Sequence, residues 1–239
     1  MPKVQIFKQS DPLSALAEAG EHLNAILEEN KKLPILLLFS GGSVLPITDY
    51  VGQTVLGANL TITMLDERFS TDSEVNNFLQ LQKTDFYKDA LEAEASFFGT
   101  LPRPNETMED LRQRWDKNLK TWRQDNPNGL IIATLGMGSD GHTSGILPFP
   151  ENPMQFEKLF NSADWTVAYN AGDKNKYPER VTTTLTFLKM VDFAFAFVSG
   201  KEKQEKFAKL ILRDAKTAEL PAMVWHEIKN LKIFTDIKA

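Results

Sequence analysis

The stretch LIIATLGMGSDGHTSGILPFP, residues 130–150, runs from a continuous apolar segment into three closely spaced glycines, Gly136, Gly138 and Gly141. A short unbroken apolar run bounded by turn residues is the pattern of a strand buried on both faces of a parallel sheet. The glycines spell G-x-G-x-x-G, which cradles a dinucleotide pyrophosphate when it lies between a strand and a helix. That context is missing. His142, Gly145, Pro148 and Pro150 leave little room for a regular helix after Gly141. About 20 residues beyond Gly136, where a ribose-binding acid is expected, the chain runs through MQFEKLF, a helical or irregular segment in which Glu157 is poorly placed. The other reading is a tight loop at a strand end. There Asp140 and His142, one glycine apart, form a carboxylate–imidazole pair suited to general base chemistry. A plain Asp-Gly turn accounts for the same residues.

The alternation of strand and helix continues outward in both directions. DPLSALAEAGEHLNAILEENKK opens on Asp11, a helix N-cap type, and carries Leu13, Leu16, Ala17, Leu23, Ile26 and Leu27 at helical spacing. LPILLLFS is a second buried strand, ending in GGS, and a helix is expected to start near Leu45. LTITMLDER reads as one strand ending in charge, and residues 105–124 as an amphipathic helix with a solvated face. WTVAYN and VDFAFAFVSG are further strands, KEKQEKFAKLILRDA and LPAMVWHEI helices, and LKIFTD a last strand. The expected fold is α/β in one domain across residues 1–239: a doubly wound, mostly parallel sheet with helices on both faces, Rossmann-like. Ligands in such sheets bind beyond the carboxyl ends of the strands. SGGS, DER, GMGSDGH and SGKEK all fall there. The segment from Phe149 to Asn161 is a candidate lid.

Composition narrows the partners. The 239 residues are 42% hydrophobic and 25% charged, with a net charge of −5. That balance leaves no footprint for nucleic acid or an anionic membrane, so any anionic small molecule must be met by a few locally concentrated cations. The absence of cysteine excludes disulfides, thiolate nucleophiles and cysteine zinc sites. It also fits a reducing, cytoplasmic setting. MPKVQIFKQSDPL has no signal-peptide pattern, and no apolar run approaches the roughly 20 residues of a membrane span. No H-x-x-x-H cluster suggests a metal, and His22 and His226 fall in amphipathic helices as structural residues. Oligomeric state is not legible.

LGMGSDGHTSGILP resembles the L-G-[MI]-G-x-[DN]-G-H signature of the 6-phosphogluconolactonase and glucosamine-6-phosphate deaminase superfamily. The resemblance extends over most of the chain: FSGGSVLP is similar to its early phosphate loop, DERFSTDSEVNNF to its D-E-R segment followed by Asn, PERVTTTLTFL to its Arg-initiated stretch, and VSGKEKQEKF to its late Gly-x-x-Lys. The D-E-R to Asn spacing is a residue short of the lactonase pattern and lacks its Val-Pro. After GHT, this chain has Ser144, Gly145, Ile146, Leu147 and Pro148 in place of A-S-L-F-P.

The resemblance implies a phosphosugar lactone as the small-molecule partner, no cofactor, and His142 as the base on water. Residue chemistry is compatible with each implied role. Ser40, Gly41, Gly42 and Ser43 offer backbone and hydroxyl donors to an anion, and Arg180 and Lys203 add cations. The Lys201 and Lys206 neighbours make a merely solvated Lys203 equally compatible with spacing alone. Asp66 suits sugar hydroxyls and Arg68 a developing oxyanion, although a surface ion pair explains both. Asn77 corresponds to the superfamily's Asn, with Asn76 beside it. In the deaminases a Glu five residues after the histidine supports it; here that position is Leu147. D-E-R in place of D-E-Y also points to the lactonase branch. A sugar-phosphate sensor without catalysis is the other implied possibility, but no helix-turn-helix with a basic face is apparent.

Overall fold

The computed structural model describes residues 3–238. In chain order the elements are β1 (Lys3–Lys8), α1 (Pro12–Glu29), β2 (Ile35–Phe39), β3 (Leu60–Met64), β4 (Asp66–Arg68), α2 (Asn77–Gln82), α3 (Asp85–Glu92) and β5 (Ser96–Phe97). They continue with α4 (Met108–Asp125), β6 (Leu130–Gly136), α5 (Pro153–Phe160), β7 (Thr166–Asn170), β8 (Glu179–Thr183), α6 (Leu185–Leu188), β9 (Phe193–Val198), α7 (Gln204–Leu212) and β10 (Asn230–Thr235). Seven strands form a wholly parallel sheet in the order β1-β10-β9-β6-β2-β3-β5. β4, β8 and β7 form a separate antiparallel sheet.

β2 shows why helices must cover both faces. All five of its residues are buried, and they alternate between two cores. Leu36 and Leu38 pack with Leu111, Trp115 and Trp122 of α4, whereas Ile35, Leu37 and Phe39 join Leu16, Leu23 and Leu27 of α1. Each such fully buried side chain contributes roughly 1.5–3 kcal/mol. The ends of these helices are set locally. Asp11 accepts the Ser14 N–H at 2.9 Å, Pro12 opens α1, and Thr107 and Asp110 form a reciprocal capping box on α4.

The structure revises several expectations. The helix expected from Leu45 is a 3-10 helix over Gly42–Tyr50 with Pro46 inside it, and LPAMVWHEI is likewise a 3-10 helix over Pro221–Glu227. LTITMLDER is two strands. At Leu65 the chain leaves the parallel sheet, the Leu65 N–H donating to Phe39 O at 2.8 Å and Leu65 O accepting the Thr183 N–H at 3.0 Å. WTVAYN belongs to the small sheet, as β7. KVQIFK, read only for its lack of a targeting signal, is an edge strand beside β10; its mostly exposed side chains and terminal lysines hide the burial signal. The candidate lid is anchored: Phe149, Phe156 and Phe160 are buried in the core.

Candidate active site

Strand order decides where the site lies. From β2 the parallel sheet grows one way through β3 and β5, and from β6 the other way through β9, β10 and β1. The loops leaving β2 and β6 therefore diverge at a topological switch point, where α/β sheets open a crevice. A cleft of about 220 Å³ lies there, lined by the Ser40–Ser43 loop, Asp66, Arg68, Gly136 to Gly138, His142, Ser144, Gly145, Arg180 and Lys203.

The loop after β6 is shaped around one imidazole. The Gly138 N–H donates to His142 O at 2.9 Å, and the Gly141 N–H donates to Gly138 O at 3.0 Å. A Cβ at Gly138 would lie 2.2 Å from the His142 ring, so only glycine fits. Gly141, at φ +90°, and Gly145, at φ +69°, hold backbone conformations that other residues rarely adopt. Ser144 adopts φ +47° without being glycine. The Asp140 carboxylate accepts from both the His142 backbone N–H, at 3.0 Å, and His142 Nδ1, at 2.6 Å. Burial works to raise the Asp140 carboxyl, but its bonds to His142 outweigh burial and hold it below the ordinary carboxylate range. An ionised Asp140 can only accept, so Nδ1 carries the proton, and in the neutral imidazole Nε2 is the nitrogen with the free lone pair.

The same cleft gathers cations. Arg180, 4% exposed, donates from Nε to Tyr177 O at 3.2 Å and from Nη2 to Asn175 Oδ1 at 2.9 Å; its Nη1 lies 3.7 Å from Asp66 Oδ2. Arg68, its cross-strand neighbour, donates from Nη1 to Val75 O at 3.0 Å. Lys203 ends a 3-10 turn, Lys201–Lys203, directly before α7, so the α-helix expected over KEKQEKFAKLILRDA starts only after it. It forms no ion pair within 4 Å among the described residues. Burial pushes its ammonium below the usual lysine range, with Glu202 and Asp236 opposing. Ser40 Oγ, Ser144 Oγ and Arg68 Nε are buried without a hydrogen-bond partner. Three orphaned polar atoms around one cleft mark a polar network completed by a ligand or water.

All the residues singled out from the sequence line the cleft except Asp140 and Asn77. Asp140 stands behind His142. Asn77 is fully buried beneath the Ser40–Ser43 loop, where a Cβ at Gly41 would lie 2.1 Å from its Oδ1, so it supports the loop from below. His22 and His226 stand elsewhere: His22 Nδ1 lies 2.9 Å from Lys232 Nζ, and His226 Nε2 lies 2.8 Å from Leu210 O. Three supporting residues escaped the sequence reading. Asn175 clamps Arg180, Tyr169 donates from its hydroxyl to Gly145 O at 2.5 Å, and Glu67 sits fully buried behind Asp66 and Arg68. The D-E-R triplet held the signal for Glu67, since a middle residue between two cleft-facing ones must point inward on a strand.

A doubly wound parallel sheet with a carboxylate-paired histidine sharing a switch-point cleft with Arg68, Arg180 and Lys203 defines an α/β protein whose cleft is compatible in charge with a small anionic ligand. The chain belongs to the family of glucosamine-6-phosphate isomerases/6-phosphogluconolactonase, which matches residues 11–233. A 6-phosphogluconolactonase of Neisseria meningitidis is 25% identical over 229 residues, covering 94% of each chain, and one of Xylella fastidiosa is 25% identical, covering 84% of this chain and 82% of its own. Among solved structures, the 6-phosphogluconolactonase of Trypanosoma brucei superposes with a TM-score of 0.75 at 18% identity, covering 98% of this chain and 97% of its own. That of Thermotoga maritima gives 0.73 at 17% identity, covering 98% and 99%.

Proposed function

We propose that this chain is a lactonase that hydrolyses 6-phosphogluconolactone to 6-phosphogluconate. The observation that carries the reading is the Asp140–His142 pair, whose free Nε2 belongs to a residue lining a cleft with Arg68, Arg180 and Lys203. In this reading the phosphate rests on the Ser40–Ser43 loop against Arg180 and Lys203. Asp66 takes a sugar hydroxyl, and the lactone carbonyl lies toward His142.

His142 Nε2 removes a proton from water as the water oxygen bonds to the carbonyl carbon. Arg68 and backbone N–H groups stabilise the tetrahedral oxyanion. Collapse breaks the bond to the ring oxygen, which takes the proton back from His142, and the new carboxyl group ionises. Relatives bearing the lactonase name along 94% of the chain support the same substrate. The deaminase alternative is disfavoured by Leu147, a fully buried core residue at the position of the supporting Glu. A leucine cannot relay a proton.

The test is wild-type turnover of freshly generated 6-phosphogluconolactone, corrected for spontaneous hydrolysis, beside glucosamine 6-phosphate. Lactone hydrolysis without ammonia release is expected. Ammonia release from the amino sugar would reassign the chain to the deaminase branch, and turnover of neither would leave a sugar-phosphate-binding protein.

A further inference from the structure

Glu67 is a buried carboxyl that the proposed chemistry does not use. Strand alternation turns Asp66 and Arg68 of β4 toward the cleft and sends Glu67 the other way, fully out of solvent. There its Oε1 accepts the backbone N–H groups of Asn77, at 2.6 Å, and Arg68, at 2.9 Å. Oε2 accepts the Phe78 N–H at 3.0 Å and the Thr100 hydroxyl at 2.8 Å. The first N–H groups of a helix have no partner within it. On α2 the Asn76 side chain serves only Leu79, at 2.9 Å, so Glu67, ten residues upstream, satisfies Asn77 and Phe78.

The link is returned from the helix side. Asn77 Nδ2 donates to Asp66 O at 2.9 Å, and the Asn77 side chain fills the space against Gly41 that a Cβ would need. Side chain to backbone in both directions, Glu67 and Asn77 clasp β4 to α2, with Gly41 resting on the clasp. We propose that Glu67 is a positioning residue that sets the Ser40–Ser43 loop and Arg68 in register for the anionic group of the substrate. The proposal rests on the reading of that loop as a phosphate cradle.

The charged group whose field reaches Glu67 is Asp66, next along the strand. From α2 it meets backbone N–H groups, from the far side Thr100, and from β8 its register partner Val181. Burial pushes the Glu67 carboxyl up to about 8, against the lowering effect of its hydrogen bonds and with a small upward push from Asp66. Anion binding is therefore expected to change as Glu67 ionises near that pH.

The test uses the intact protein and two readouts, amide hydrogen exchange across residues 40–50 and calorimetric binding of 6-phosphogluconate from pH 7 to 9.5. Glu67→Gln sets an amide NH₂ against backbone donors. At pH 9.5, where the carboxyl is ionised and accepts all four bonds, it is expected to speed exchange in 40–50 about tenfold and weaken binding about tenfold, with β9 exchange unchanged, whereas at pH 7 the neutral carboxyl and the amide differ little. Lys203 also loses charge toward alkaline pH, and that part of the pH profile persists in the variant. The step near pH 8 should vanish. Thr100→Val, the milder change because it only exchanges a hydroxyl for a methyl, removes a bond that lowers the carboxyl and should move the step upward.

Unchanged exchange in 40–50 for Glu67→Gln at pH 9.5, or a step near pH 8 that ignores both substitutions, would overturn the proposal. If the wild type binds no sugar phosphate, the functional reading fails by itself and the exchange arm still decides the positioning role.

Discussion

His142 and His22 sit on the same molecule with opposite neighbours at Nδ1. At the carboxyl rim of the sheet, Asp140 accepts a hydrogen bond from His142 Nδ1 at 2.6 Å, which in the neutral imidazole leaves the lone pair on Nε2. At the β1–β10 edge of the sheet, Lys232 stands 2.9 Å from His22 Nδ1, with Phe7 and Phe234 packed on the ring. An ammonium can only donate, so His22 must be neutral with its proton on Nε2. The partner at Nδ1 thus separates the proposed general base from a structural acceptor.

The largest expected effect falls on the rim. His142→Ala should lower lactone turnover about 10³-fold, within the range for losing a positioned base, while sugar-phosphate binding measured by calorimetry changes less than about threefold. Near-normal turnover would erase the distinction between the two histidines. Asp140→Asn keeps the shape but lets the wrong tautomer form, and a loss of about 10²-fold in kcat is expected with KM little moved. Removing the ammonium with Lys203→Met should instead raise KM about tenfold and leave kcat within a small factor, read from initial rates. A fall in kcat alone would move Lys203 out of the phosphate half of the cleft.

The smallest effect belongs to His22 and is one of stability. Burial first, then Lys232, lowers its pKa against the opposing fields of Glu18 and Glu21. The folded state therefore binds fewer protons than the unfolded chain below the ordinary histidine value of about 6.5. Stability is fully present above that pH and is lost as pH falls through the lowered folded value. Thermal unfolding from pH 7.5 to 5 should show His22→Phe losing this acid-side dependence, a difference of within about 4 °C. An unchanged acid limb would place the neutral imidazole elsewhere.

Much of the site is legible in the sequence because its parts lie at strand ends marked by glycine or charge. GGS after β2, GMGSDGH after β6 and DER after β3 bring their own punctuation. What escaped is what tertiary pairing decides. The break at Leu65 has no turn residue; there the backbone N–H still bonds to Phe39 of the large sheet while the carbonyl already bonds to Thr183 of the small one. KVQIFK lacks a burial pattern because only β10 pairs with it. The inward role of Glu67 depends on α2 arriving with unpaired N–H groups, and that of Asn77 on Gly41 coming close from a distant loop. The position of Lys203 before α7, not within it, follows from a 3-10 turn that helical spacing does not foretell.

The account turns on Asp140 acting through His142. The most direct measurement is a double-mutant cycle on 6-phosphogluconolactone hydrolysis, comparing wild type, Asp140→Asn, His142→Ala and the double variant after correction for the spontaneous reaction. If the carboxylate works by holding the imidazole, Asp140→Asn costs about 10²-fold in the wild-type background and almost nothing once His142 is gone. Equal losses in both backgrounds would contradict the pairing and place the two residues in independent roles.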